Sequence, residues 1–213
     1  MKKLAMPGDV LLSRPLRLEH TIVENGKTYA TVLGIFDEER ASFIPLESLW
    51  YPCENETAIG IIEESKLNVY TVNLNAPYKG IIISKYTRDS MSNGDIIEAS
   101  VKELDKTGTV VLSRPRVLHG GKVLYVKPSK IPRIIGSNNT MIRQICKGTN
   151  SNISIGMNGM IWMSGGNTDL ATEAISRIVK EAHISGLTNR ISEMLGTPKP
   201  DAQETSTQVH REA

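Results

Sequence analysis

Between residues 54 and 118, short segments that alternate apolar and polar residues are punctuated by turn signals. The signals are Asn75-Ala76-Pro77, Asn93-Gly94 and Thr107-Gly108. This predicts strands over Ile59–Glu63, Val69–Leu74, Lys79–Ser84, Asp95–Leu104 and Thr109–Ser113. Five short strands in about sixty residues suit a small closed barrel. Aromatic residues are only 5% of the chain, so the core must rest on Ile, Val and Leu, which suit a pleated surface.

The expected class is multidomain, mainly β and then α+β. Residues 1–53 read as short strands, with Asn25-Gly26 placed as a hairpin turn in "TIVENGKTYATVLGI". Residues 54–118 form the five-stranded barrel, of the Greek-key OB type. After Gly120-Gly121 the period changes. "KVLYV" is a strand, Ser129 to Ile135 a short helix, and Thr140 to Lys147 a second helix with Met141, Ile142 and Ile145 on one side. "NISIGMNGMIWMSG" is a hairpin turning at or near Met157-Asn158-Gly159. A final helix carries Leu170, Ala174, Ile178 and Ala182, with Asn167 or Thr168 as its cap and Gly186 bending it. Residues 119–196 thus run strand, helix, helix, strand, strand, helix. Residues 197–213 show no apolar period and are expected to be disordered.

The net charge is only +2, but its distribution is uneven. Residues 119–196 hold 9 basic and 4 acidic groups, and no acid occurs between Asp105 and Asp169. Lys106, Arg114, Arg116, Lys122, Lys127, Lys130, Arg133, Arg143 and Lys147 all fall in that interval. An interval so composed is a candidate cationic lining for a polyanion, along which an unpaired polynucleotide would run. Gly136-Ser137-Asn138-Asn139 joins the two short helices inside it. A glycine there lets a phosphodiester approach the backbone, and helix N-termini offer unpaired N–H groups to anions. With Lys130, Arg133 and Arg143 around the loop, this is the arrangement of a KH domain, which grips about four single-stranded nucleotides beside a G-x-x-G loop. Asn139 stands where that loop has its second glycine. Asparagine tolerates left-handed dihedrals, but its side chain crowds the place of the sugar-phosphate. On the barrel, Tyr78, Lys79, Lys85, Tyr86, Arg88, Arg114 and Arg116 are candidates for stacking and phosphate contact. Lys122 joins them from the first strand after Gly120-Gly121, and Tyr70 reads as core.

"GDIIEASVKELDKTGTVVLSR" resembles the end of an S-one type OB domain. The full order, with "MPGDVLL", "FIPLESLWYPCENETAIGIIEE", "VNLNAPYKGII", "GKVLYVKPSKIPRIIG" and "EAHISGLTNRI", resembles the RNA-binding cap subunit of the archaeal exosome. That resemblance covers nearly everything before residue 197. It implies an accessory protein rather than an enzyme, with three copies on a hexameric ring that holds the phosphorolytic sites. The S-one domains would surround the entrance pore, and the N-terminal domain, with part of the KH domain, would dock on the ring. The expected partners are therefore single-stranded RNA and the ring subunits.

The residues themselves suggest no catalytic constellation, cofactor or metal. The four histidines, His20, His119, His183 and His210, are scattered, and no phosphate loop or dinucleotide fingerprint is present. Asp37-Glu38-Glu39 reads as a solvated turn, and Glu63-Glu64 as strand neighbours facing opposite sides. Cys53 and Cys146 are too few for a zinc ribbon or a disulfide framework. No stretch reads as a signal peptide or a membrane span, so the expected compartment is the cytoplasm. An alternative is a transcription elongation or antitermination factor, which also places an S-one domain before KH but carries two KH domains. In polynucleotide phosphorylase the KH domain precedes the barrel, the reverse of the order here.

Overall fold

The computed structural model describes residues 2–18, 20–39, 41–46, 49–84, 90–181 and 187–196. The expected bend at Gly186 and the tail 197–213 lie outside them, as does His183. Contacts divide the chain into two units, Met1–Ile131 with Ser154–Trp162, and Pro132–Ile153 with Met163–Ala213.

The N-terminal part of the first unit holds two three-stranded antiparallel sheets. One orders β1 (Lys2–Ala5), β5 (Gly34–Asp37) and β6 (Ser42–Pro45). The other orders β2 (Val10–Leu12), β4 (Lys27–Ala30) and β3 (Thr21–Glu24). Asn25 and Gly26 form the two-residue β3–β4 loop with φ of 49° and 75°, as a right-twisted hairpin requires. Ala5, Ala30, Phe36 and Phe43 make the small core. Buried Thr28 ties the incoming segment to β4, its hydroxyl accepting the Leu16 N–H and lying within donating distance of the Arg14 and Leu16 carbonyls. Pleating puts Leu4, Ile35 and Ile44 in one cross-strand row on the opposite face, with Leu4 57% and Ile44 51% exposed. The second sheet carries a matching row of Val10, Tyr29 and Ile22.

The barrel closes as β10 (Ile96–Leu104), β11 (Thr109–Leu118), β9 (Lys79–Ile83), β8 (Val69–Asn73) and β7 (Thr57–Ser65), back to β10. All pairs are antiparallel except β9 with β11. Its interior is the alternating set Ala58, Ile62, Val72, Leu74, Ile82, Ile97, Ala99, Val101, Val110 and Leu112, with Trp50, Tyr70 and Met91 also buried in this cluster. A side chain such as Ile62, 1% exposed, contributes about 1.5–3 kcal/mol by burial.

Strand β11 runs five residues past the expected end at Ser113. Arg-Pro-Arg looks like an interruption, because proline removes a ladder donor. The structure accommodates it in a β-bulge. Ser113 pairs with Ser100 and Arg116 with Glu98, so β11 spends one extra residue there, and Arg114 takes a left-handed φ of 51°.

The remaining strands, β12 (Lys122–Tyr125), β14 (Met160–Ser164) and β13 (Asn152–Ile155), form a sheet in that order, with β12 at one edge. The boundary between the units falls within β13 and β14. A 3-10 turn, Pro128–Lys130, leads into α1 (Ile131–Ile135). In the second unit α2 (Thr140–Thr149), α3 (Thr168–Glu181) and α4 (Leu187–Leu195) pack on one another. Asn167 is the cap of α3, accepting the Leu170 N–H at 3.0 Å. The buried stripe of α3 is Ala171, Ala174, Ile175 and Ile178, turned from the expected Leu170-Ala174-Ile178 line.

Candidate nucleic-acid interface

The loop between α1 and α2 starts where Gly136 ends α1, its N–H donating to the Pro132 carbonyl at 3.0 Å. Gly136 has φ of 72°, and a Cβ there would sit 2.7 Å from Met141 Cβ and 3.0 Å from Met141 N. No other residue fits without displacing α2. Asn138 and Asn139 follow with φ of 50° and 61°, both left-handed. Asn139 therefore takes a conformation that glycine would hold more freely, and it serves as the N-cap residue of α2 without a side-chain cap bond. The first turn of α2 contains no acid, so its N–H groups meet no carboxylate from their own helix. Ser137, Asn138, Asn139, Arg133 and Arg143 are all exposed. Behind the loop, α2 buries Met141, Gln144 and Ile145, and the Gln144 amide donates to the Ser192 hydroxyl of α4. Burial pushes the Cys146 thiol above its ordinary range.

On the barrel, Lys79 is exposed at the first position of β9. Tyr78 is half-buried. It meets Trp50 edge-on at 6.5 Å and Tyr51 at 6.2 Å, and it packs against the barrel core. Lys85, Tyr86 and Arg88 lie outside the described residues. Arg114 and Arg116 are both exposed, one on each side of Pro115 in the bulge. Arg116 is engaged. Its Nη2 lies 2.7 Å from Glu98 Oε2 and 3.4 Å from Ser154 Oγ. An acid from outside the acid-free interval thus neutralises one of its cations, because β10 lies beside β11. Lys122 is exposed on β12 and Lys130 half-buried at the end of the 3-10 turn. The interval's cations divide between the units: those from Lys106 to Lys130 lie in the first, and Arg133, Arg143 and Lys147 in the second.

Several polar residues have structural roles. Asp37, read from sequence as solvated, is buried, and its Oδ1 accepts the Glu39 N–H at 3.1 Å within the turn. Glu63 accepts from the Asn73 amide and Glu64 pairs with Lys66. The Thr107 hydroxyl donates to Asp105 at 2.7 Å and holds that carboxyl below its ordinary range, with help from the Lys106 backbone. Trp162, on β14, is buried and donates Nε1–H to the Gly120 carbonyl at 2.7 Å.

The turn at Asn158 carries a contact that sequence reasoning missed. Strand β8 ends opposite Ile61, leaving the β7 backbone at Thr57 and Ile59 without a neighbour on that side. Met157 N–H donates to Thr57 O at 2.8 Å. Asn158 Oδ1 accepts the Ile59 N–H at 3.2 Å, and its Nδ2 donates to Ile59 O and Leu74 O, each at 2.7 Å. The hairpin tip thus stands in for missing strand. Asn-Gly announced only the turn; two flanking glycines and an asparagine between apolar strands were the available signal.

Residues 121–169 match the KH domain family. The exosome complex component Rrp4 of Pyrococcus furiosus is 34% identical over 218 residues, spanning 91% of this chain and 83% of that protein. Rrp4 of Methanosarcina barkeri is 32% identical over 222 residues, 96% of this chain and 85% of that protein. The chain belongs to the Rrp4 family. Among solved structures, one described as a candidate exosome complex RNA-binding protein superposes on this Rrp4-family chain with a TM-score of 0.63. It is 26% identical and covers 70% of this chain and 96% of its own. The expected barrel and KH domain are both present in this framework.

Proposed function

We propose that this chain is a non-catalytic RNA-binding cap subunit of an archaeal exosome. Three copies would dock on a hexameric ring of phosphorolytic-type subunits in the cytoplasm and guide single-stranded RNA 3′ ends into the pore for degradation or processing. The observation that carries the reading is the similarity to Rrp4 exosome components along 91% of the chain. That span takes in nearly all of the N-terminal sheets, barrel and KH region together. The exposed rows Leu4-Ile35-Ile44 and Val10-Tyr29-Ile22 support the docking role, since contiguous apolar surface of this kind marks protein contact. Arg114, Lys79 and the Gly136–Asn139 loop support the RNA role. The elongation or antitermination reading is not favoured, because the matching relatives are exosome components.

Two measurements test the proposal. Co-expression with the ring subunits should give a stable complex containing three copies of this chain; persistent elution as a free monomer refutes docking. The full chain alone should bind single-stranded RNA weakly, each phosphate contacted adding roughly −0.7 to the salt slope. Binding that ignores salt refutes the cationic path.

A further inference from the structure

Two aromatic side chains stand out as exposed among the described residues, Tyr51 at 59% and Tyr125 at 52%. Their surroundings differ. Tyr51 follows Leu49, itself 71% exposed, and precedes Glu54 and Glu56; its ring rests edge-on against Tyr78. That setting is apolar and acidic, and unsuited to a polyanion. Tyr125 lies inside the interval without carboxylates, with Lys122, Lys127 and Lys130 on either side of it in sequence. It is the last residue of β12, the edge strand of its sheet. Strand alternation puts Tyr125 on the same face as Val123. Val123 packs against the cluster of Ile59, Leu118, Met160 and Trp162, which holds that face against the barrel side of the first unit. Just beyond, the Val126 N–H donates to the Gly159 carbonyl at 2.8 Å, fixing the backbone that carries the tyrosine. The result is an exposed ring on a braced strand, within a stretch of chain that carries lysines and no carboxylate.

We propose that Tyr125 stacks an unpaired RNA base while the lysines around it take the flanking phosphates, an assignment that rests on the RNA-binding reading above. Every base has a π-face, so such a contact tolerates any sequence, as a subunit handling varied RNA needs. It would extend the path from Arg114 along β11 and through Gly120-Gly121 onto the edge of the next sheet.

The test uses the full chain and a fluorescein-labelled single-stranded oligouridylate, with anisotropy measured across a salt series. Tyr125→Thr keeps strand propensity and removes the ring. It should weaken binding about five- to 150-fold, the range found when a stacked aromatic is removed. The salt slope should stay unchanged, because stacking releases no counterion. Tyr125→Phe keeps the π-face and should bind like the parent. Inorganic polyphosphate, which has no bases, should bind the parent and Tyr125→Thr alike. Equal RNA affinity for the parent and Tyr125→Thr overturns the assignment while leaving the RNA-binding reading intact. So does a Tyr125→Phe loss as large as that of threonine, or an equal loss with polyphosphate. Retained RNA affinity with lost co-elution of the ring subunits would make Tyr125 a protein contact instead. A parent chain that fails to bind oligouridylate even at low salt removes the RNA-binding reading itself.

Discussion

Asn158→Leu removes a side chain that is 1% exposed and satisfies three backbone groups: Ile59 N–H, Ile59 C=O and Leu74 C=O. Leucine keeps the branching and the number of side-chain heavy atoms, so no cavity opens and the polar loss dominates. A buried backbone group left unpaired costs about 1–3 kcal/mol, and taking the low end for each gives roughly 3 kcal/mol. That is a large share of the roughly 5–15 kcal/mol that holds a typical domain together. The effect should concentrate at the β7 edge, because Thr57 also loses the aligned Met157 N–H. Hydrogen exchange at the Ile59 amide should accelerate about a hundredfold, since a factor of ten corresponds to ~1.4 kcal/mol. Asn158→Asp adds a second readout. Its carboxylate can accept from Ile59 N–H, but it faces two carbonyl oxygens. Docking of the tip should therefore be worse at neutral pH than in acid, where the protonated group can donate one bond. Unchanged exchange at Ile59 in Asn158→Leu, with the urea midpoint within error of the parent, would refute the view that the hairpin tip completes the barrel.

Gly136→Ala should cost at least about 1–2 kcal/mol from the left-handed backbone alone, with the Met141 contact adding to it; a urea midpoint equal to the parent's would show that the loop can rearrange. Glu98→Gln should free Arg116 and steepen the salt dependence of RNA binding by up to roughly 0.7 in slope, whereas an unchanged slope would place Arg116 off the RNA path. Glu181 is held below the ordinary glutamate range by its bond from Arg177, assisted by Arg190. A lowered carboxyl pKa stabilises the folded state above the unfolded value and loses that contribution as pH falls through the folded value. Thermal stability should therefore decline in acid below the ordinary glutamate range, and Glu181→Gln should flatten that part of the profile.

The sequence by itself determined the elements and their order. Alternation marked β7 to β10 within about two residues, Asn25-Gly26 set a hairpin whose two positive φ values follow from those residues, and Asn167 capped its helix as its side chain predicts. These features depend on neighbours a few positions apart, whose energetics the local chain contains. Sequence reasoning also placed Gly136 and Asn139 in the loop between two short helices, and Asn139 takes the left-handed φ that asparagine tolerates. Only the tertiary structure decided the rest. Pro115 stays within β11 because β10 offers a bulge to receive it, and Arg116 loses its free charge because that pairing sets Glu98 beside it. Trp162 has no free face, since β14 is the central strand of its sheet and carries four successive buried residues. Asn158 turns from a loop residue into a barrel component because β8 stops short of it. In each case the deciding partner lies far away in sequence, and the energy of satisfying a buried polar or charged group depends on what the folded chain brings to it.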